Sequence, residues 1–205
     1  MRKVPIALVL MLVALPAWAQ TRAESLARCE SRDTDLVIAG CTALIQSGQE
    51  TGANLAVAYN NRGIAYDDKD LLDQAIADYT KAIALKPDYF SPYNNRAVSY
   101  GKKGLPDMAI ADLNKAIAIS PADSGAYVTR GIAYIDKGLY DQAIADETKA
   151  IALDPGTATG HGVRGLAYEK KGQRDKAVAD YRASLNLNPG MTDSRDGLRR
   201  IGATP

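Results

Sequence analysis

The stretch FSPYNNRAVSYGKKGLPDMAIADLNKAIAISPAD, residues 90–123, decides the fold, because its landmarks return on both sides at one fixed interval. Pro87, Pro121, Pro155 and Pro189 stand 34 residues apart. Tyr66, Tyr100, Tyr134 and Tyr168 keep the same step, as do Tyr59, Tyr93 and Tyr127, and Ala75, Ala109, Ala143 and Ala177. Self-similarity at such a period marks a solenoid assembled from one supersecondary unit.

Inside the stretch, Tyr93, Arg96, Ala97 and Tyr100 are three or four residues apart and so share one face of a helix. A turn follows at Gly104, matched by Gly138 and Gly172, with Asp70 in the same place of the first unit. Ala109, Ile110, Leu113, Ala116 and Ile117 then trace a second helical face, and proline ends it because it cannot donate the next backbone hydrogen bond. Four regular units result, at 56–89, 90–123, 124–157 and 158–191, and the fold class is all-α. Gly63, Ala97, Gly131 and Gly165 recur on the first helix. A glycine inside a helix costs about 1 kcal/mol relative to alanine, so three glycines in one packing position point to a steric requirement.

Before the regular units, residues 21–47 read as an atypical opening hairpin that caps the stack. Its segment 38–45 resembles 76–83 at an offset of 38, and the four extra residues are expected in the connection Gly48-Gln49-Glu50-Thr51-Gly52. After Gly190 the pattern stops. Asp193 to Ile201 is expected to form a short terminal helix with Leu198 and Ile201 inward and arginines outward, fraying beyond Gly202.

Residues 1–19 read as an export leader: Arg2 and Lys3 precede a ten-residue apolar run at 6–15, and Ala17-Trp18-Ala19 suits cleavage after Ala19. The run is well short of the roughly 20 residues that cross a bilayer, and the first cysteine, Cys29, lies too far on to accept a lipid anchor. The expected location is the periplasm or the exterior. Without Arg2 and Lys3, the 25 basic residues become 23 against 24 acidic ones, a balance that offers no broad attraction for nucleic acid or anionic lipid. Cys29 and Cys41, twelve residues apart, either close a disulfide across the opening hairpin or sit as two separately buried thiols.

The unit resembles the tetratricopeptide repeat family, a helix-turn-helix with an early aromatic, a small residue, tyrosine, then alanine, an aromatic, alanine and proline. Tyr59, Gly63, Tyr66, Ala75, Tyr79, Ala82 and Pro87 fill those places in the first unit. Tyr93, Ala97, Tyr100, Ala109, Leu113, Ala116 and Pro121 do so in the second. The departures are Glu147, where the other units have Tyr79, Leu113 and Tyr181, together with His161 and Ser184. Glu147 is expected to reach solvent or to loosen the stack, since an unpaired buried charge is expensive. Where the family usually has a large apolar residue, this chain has Arg62, Arg96, Arg130 and Arg164, each followed sixteen residues later by Asp78, Asp112, Asp146 and Asp180. An internal ladder of bidentate pairs is expected, with two separate solvated rows as the alternative.

The resemblance implies a right-handed superhelix whose first helices line a concave wall that binds peptide or protein. Carried onto this sequence, the groove comprises Asn60, Asn61, Ile64, Asp67, Asn94, Asn95, Val98, Val128, Thr129, Ile132, Ile135, Val163 and Leu166. Its carboxamides suit an extended backbone and its aliphatics an apolar side chain. Ile64, Asn60 and Asn94 replace the groups with which a branch of the family grips an acidic chaperone tail, which argues against that ligand. No nucleophile-base-acid set, phosphate loop or metal-spaced cluster occurs, so no enzyme activity, metal or cofactor is expected. The lone His161 reads as a packing residue. A binding module with a polypeptide partner is the leading expectation, and a self-associating homo-oligomer within an envelope assembly is its rival.

Overall fold

The computed structural model describes residues 17–204, and all but the last three residues of the expected leader at 1–19 lie outside them. Eleven α-helices and no strand occur among the described residues: α1 (Ala17–Cys29), α2 (Thr34–Ser47), α3 (Gly52–Asp68), α4 (Leu72–Leu85), α5 (Phe90–Lys102), α6 (Pro106–Ile119), α7 (Ser124–Asp136), α8 (Tyr140–Leu153), α9 (Ala158–Lys170), α10 (Arg174–Leu187) and α11 (Thr192–Arg200). Each packs on the next along the chain. Odd-numbered helices also touch the next odd-numbered one, whereas no two even-numbered helices do so among the described residues. One layer is therefore drawn together and the other splayed, which curves the stack with its odd helices on the inner side.

Local chemistry sets the joints. At the ends of α3, α5, α7 and α9 a backbone N–H reaches five residues back, Leu71 to Tyr66, Leu105 to Tyr100, Leu139 to Tyr134 and Gln173 to Tyr168, at 2.8 to 2.9 Å. That wrap needs a left-handed residue. Gly104, Gly138 and Gly172 supply it at φ of 70 to 73°, and Asp70 does so at 58°, the one positive-φ residue other than glycine among those described. The even helices α4, α6, α8 and α10 stop at Leu85, Ile119, Leu153 and Leu187, two residues before their prolines.

The extra four residues of the first unit are not in the connection, as the glycines there suggest. Residues 48–51 form a link as short as 86–89, and α3 instead begins one turn early at Gly52, making it 17 residues long. Glu50 explains the tight entry: it is buried and accepts a 2.6 Å hydrogen bond from Arg22 Nε, tying the connection to α1. A disulfide joins Cys29 to Cys41 across the opening hairpin. Beyond α11 the tail lies against α10. Arg174 donates to the carbonyls of Ile201 and Gly202, and Arg182 to that of Thr204, at 2.9 to 3.1 Å.

Small residues on odd helices face large ones on even helices. A Cβ on Gly63 would meet the Tyr79 ring at 2.6 Å, and one on Gly165 the Tyr181 ring at 2.8 Å. In the second unit the slot holds Ala97 and the smaller Leu113, both fully buried. The third unit keeps the glycine but fills the slot with Glu147. This side chain neither reaches solvent nor finds a partner: it is 0% exposed and neither carboxyl oxygen has a hydrogen bond. Burial, followed by the nearby Asp146 charge and only partly opposed by Arg164, pushes its pKa up to about 9. Of the two expectations for Glu147, a reach to solvent or a loosened stack, the first gives way to a protonated acid held inside the stack.

Candidate binding groove

Before the inner wall can be read, its arginines have to be accounted for. Arg62, Arg96, Arg130 and Arg164 each donate from Nε and Nη2 to both oxygens of Asp78, Asp112, Asp146 and Asp180, at 2.7 to 2.9 Å. These are fork-to-fork pairs within each hairpin rather than two solvated rows. The remaining Nη1 reaches the preceding even helix, onto Thr42, Thr80, Asn114 and Thr148, at 2.7 to 3.2 Å. One guanidinium thus clamps two hairpins together. Arg62 also lies 5.6 and 5.7 Å from the Tyr59 and Tyr66 ring centres, and Arg130 is 5.7 Å from both Tyr127 and Tyr134. In the fourth unit His161 takes the early tyrosine's place, its Nδ1 3.2 Å from Asp180 Oδ1. None of these cations is free for a ligand.

The expected groove residues divide into three groups. Asn60 is buried and accepts a 3.1 Å hydrogen bond from Asn95 Nδ2, while its own amide faces Asn61 Oδ1 at 3.5 Å. Asp67 accepts from Ser99 Oγ at 2.8 Å and from Lys102 Nζ at 2.7 Å. These polar groups join α3 to α5 and do not point outward, so they are poorly placed to read a peptide backbone. Thr129 donates to the Gly125 carbonyl of its own helix, and Val128 is buried. Asn94 is half-buried and its Oδ1 has no partner. Ile135, Val163 and Leu166 are half-buried. Ile64, Val98 and Ile132, at 40%, 36% and 42% exposure, stand open. With Leu166 they form one row in 34-residue register.

Two hollows mark the ends of this row. One of about 400 Å³ lies between the opening hairpin and α3, lined by Cys29, Arg32, Val37, Asn61, Ile64 and Asp68 among others. The other, of about 250 Å³, lies among α7, α9 and α11 and includes Ile132, Val163 and Leu166. Its other walls come from Thr159, Tyr181, Met191, Asp193, Ser194 and Arg200, none of which the groove reading of the sequence contained. The signal that finds them is the repeat itself, carried past its last proline: Arg200 stands 34 residues after Leu166.

Comparison with known proteins agrees with this architecture. The family described as Tetratricopeptide repeat matches residues 56–89, 90–123, 124–157 and 158–191, unbroken across the four regular hairpins. The chain belongs to the tetratricopeptide repeat family. Among solved structures it is similar to MamA from Desulfovibrio magneticus RS-1, at 20% identity and a TM-score of 0.73, over 85% of this chain and 96% of that one. It is also similar to YrrB, described as a TPR protein with an unusual peptide-binding site, at 18% identity and a TM-score of 0.71, over 87% and 90%. The first TPR of Spaghetti (RPAP3), bound to the HSP90 peptide SRMEEVD, aligns at 23% identity and a TM-score of 0.58, over 61% and 99%. These likenesses establish the fold. No curated protein matches the chain.

Proposed function

We propose that this chain is an exported, non-enzymatic adapter that holds an extended stretch of another polypeptide along its odd-helix wall. The observation that carries the reading is the row Ile64, Val98 and Ile132, each more than a third exposed on a wall where Asn60, Asn95 and Asp67 are already engaged. Fully burying such a side chain is worth about 1.5–3 kcal/mol, so a partner lying along the row has a ready source of affinity. The peptide-binding site named for YrrB and the peptide bound to Spaghetti lend support from the same fold. Export to the periplasm or beyond rests on the leader pattern of residues 1–19, and the Cys29–Cys41 bond suits an oxidising compartment.

Cross-linking in the source cell tests the groove. Captured polypeptide should fall at least tenfold when Val98→Asp and Ile132→Asp are combined, with the circular dichroism spectrum unchanged. Undiminished capture would remove the groove from the account. The leader is tested by the mass of the protein recovered outside the cytoplasm, which should begin at Gln20. The self-assembly rival predicts a solution mass that rises to a defined oligomer, and the adapter predicts a concentration-independent monomer.

A further inference from the structure

The 34-residue register does not end with Pro189. α11 begins at Thr192, 34 residues after the start of α9, and packs on both α9 and α10. It therefore occupies the place of an odd helix in a fifth unit, with no even helix after it among the described residues. Two substitutions follow from that place. Leu198 stands where the arginine of the ladder would be and is fully buried, ending the ladder with an apolar plug. Arg200 stands where the exposed aliphatic row would continue, and it closes the far end of that row.

The cavity of about 250 Å³ at this end has apolar walls in Ile132, Val163, Leu166 and Met191, with the Tyr181 ring beside them. Cofactor and drug-sized sites run from about 300 Å³ upward, so this one is scaled to a side chain. It is also poor in partners for water, which needs two to four polar contacts to be held well. Only two charged residues line it, Asp193 and Arg200. Arg200 is committed: its Nε and Nη2 donate to the two oxygens of Glu169 at 3.0 Å, and the Tyr181 hydroxyl donates to the same carboxylate. Burial works against a charge on Glu169, yet these hydrogen bonds outweigh it and hold its carboxyl below the usual range. The pair cancels. Asp193, exposed in the first turn of α11, forms no salt bridge among the described residues, so its carboxylate leaves the rim with a negative charge that only the helix N-terminus offsets.

We infer that the hollow among α7, α9 and α11 is a pocket for one bulky aliphatic side chain of an extended peptide, with a lysine or arginine of that peptide set against Asp193. The occupant is therefore basic-aliphatic, and an acidic tail is excluded from this end of the wall. The assignment rests on the groove reading above, and it adds the residue type, its place and the sign of the flanking charge.

Random twelve-residue peptides displayed on phage, selected on the purified full chain, separate the two readings. The expected result is enrichment of leucine, isoleucine or methionine within two positions of lysine or arginine. Thr159→Trp, at an exposed position on the rim, should fill the hollow and weaken the selected peptides at least tenfold. Asp193→Lys should turn the flanking preference from lysine and arginine to aspartate and glutamate, and it carries the test alone if Thr159→Trp lowers Tm. Peptides that bind both variants as well as the native chain, yet lose binding to Val98→Asp, would leave the groove standing and overturn the pocket. Enrichment of acidic peptides on the native chain would overturn the charge assignment. No enrichment at all would sink both readings.

Discussion

The hairpins α3–α4 and α7–α8 are built on one plan, and each carries its misfit in a different place. In α3–α4 the inner slot is well filled, with the Tyr79 ring lying over Gly63, but the turn forces Asp70 to a φ of 58°. In α7–α8 the turn is relaxed at Gly138, but the slot over Gly131 holds the fully buried, unpartnered Glu147. The repeat therefore conserves geometry and tolerates chemistry: any side chain that fills the slot keeps the helices in step, and its polarity is reconciled by protonation. The third hairpin is the joint at which the stack becomes sensitive to pH.

The largest effect should come from the clamp common to both hairpins. Arg130→Met leaves Asp146 buried without its partner beside Glu147, and breaking such a pair costs about 3–5 kcal/mol. Urea unfolding should show this loss, and Arg62→Met should lose a similar amount in the other hairpin. An unchanged midpoint in both would mean that the ladder contributes nothing to stability.

Next comes the slot. Because folding raises the Glu147 pKa from 4.5 to about 9, the folded chain binds that proton more tightly than the unfolded one. Its contribution to stability is complete below pH 4.5 and is lost progressively as pH rises towards about 9. By pH 7 the loss is on the order of 3 kcal/mol. Glu147→Gln should abolish this slope, so its advantage over the native chain grows between pH 5 and 8. Glu147→Leu should add the benefit of an apolar fill. Parallel stability-pH curves for native and Glu147→Gln proteins would contradict the buried acid.

A Cβ sharpens the contrast between the two slots. Gly63→Ala would press on the rigid Tyr79 ring and should cost about 1–3 kcal/mol, the usual range for overpacking. Gly131→Ala meets the unbranched Glu147 side chain, first at its carboxyl, which has more rotatable bonds with which to yield than a ring does, and alanine's better helix propensity offsets part of the clash. The second variant should unfold at the higher temperature. The smallest effect is at the turn: Asp70→Gly relieves the left-handed backbone and should stabilise by about 0.5–1 kcal/mol in urea unfolding, whereas Gly138→Asp should reverse that gain in the other hairpin.

Much of this was legible along the chain. The prolines, the glycine turns and the arginine-aspartate spacing of sixteen residues are local or nearly local quantities, and they named the helices and the residues that could meet within a hairpin. The asparagines were read less well. Asn60 and Asn95 sit on different hairpins, so that they face each other depends on how α3 and α5 are offset, a relation no single repeat contains. The same holds for the early start of α3. Its four extra residues could extend either a loop or a helix, and the buried Glu50 held by Arg22 leaves the link only four residues long.

By itself the sequence determined the all-α class, the step of the repeat and the places where each helix stops, because periodicity and backbone chemistry act through neighbours in the chain. Only the tertiary structure decided which polar groups remain exposed, where the carboxyl of Glu147 sits and how α11 closes a hollow at the end of the wall. Burial and pairing are properties of stacked hairpins. Several pairings are set by groups on a neighbouring hairpin, as Asn95 is for Asn60 and Arg200 for Glu169, whose approach depends on packing rather than on any local pattern.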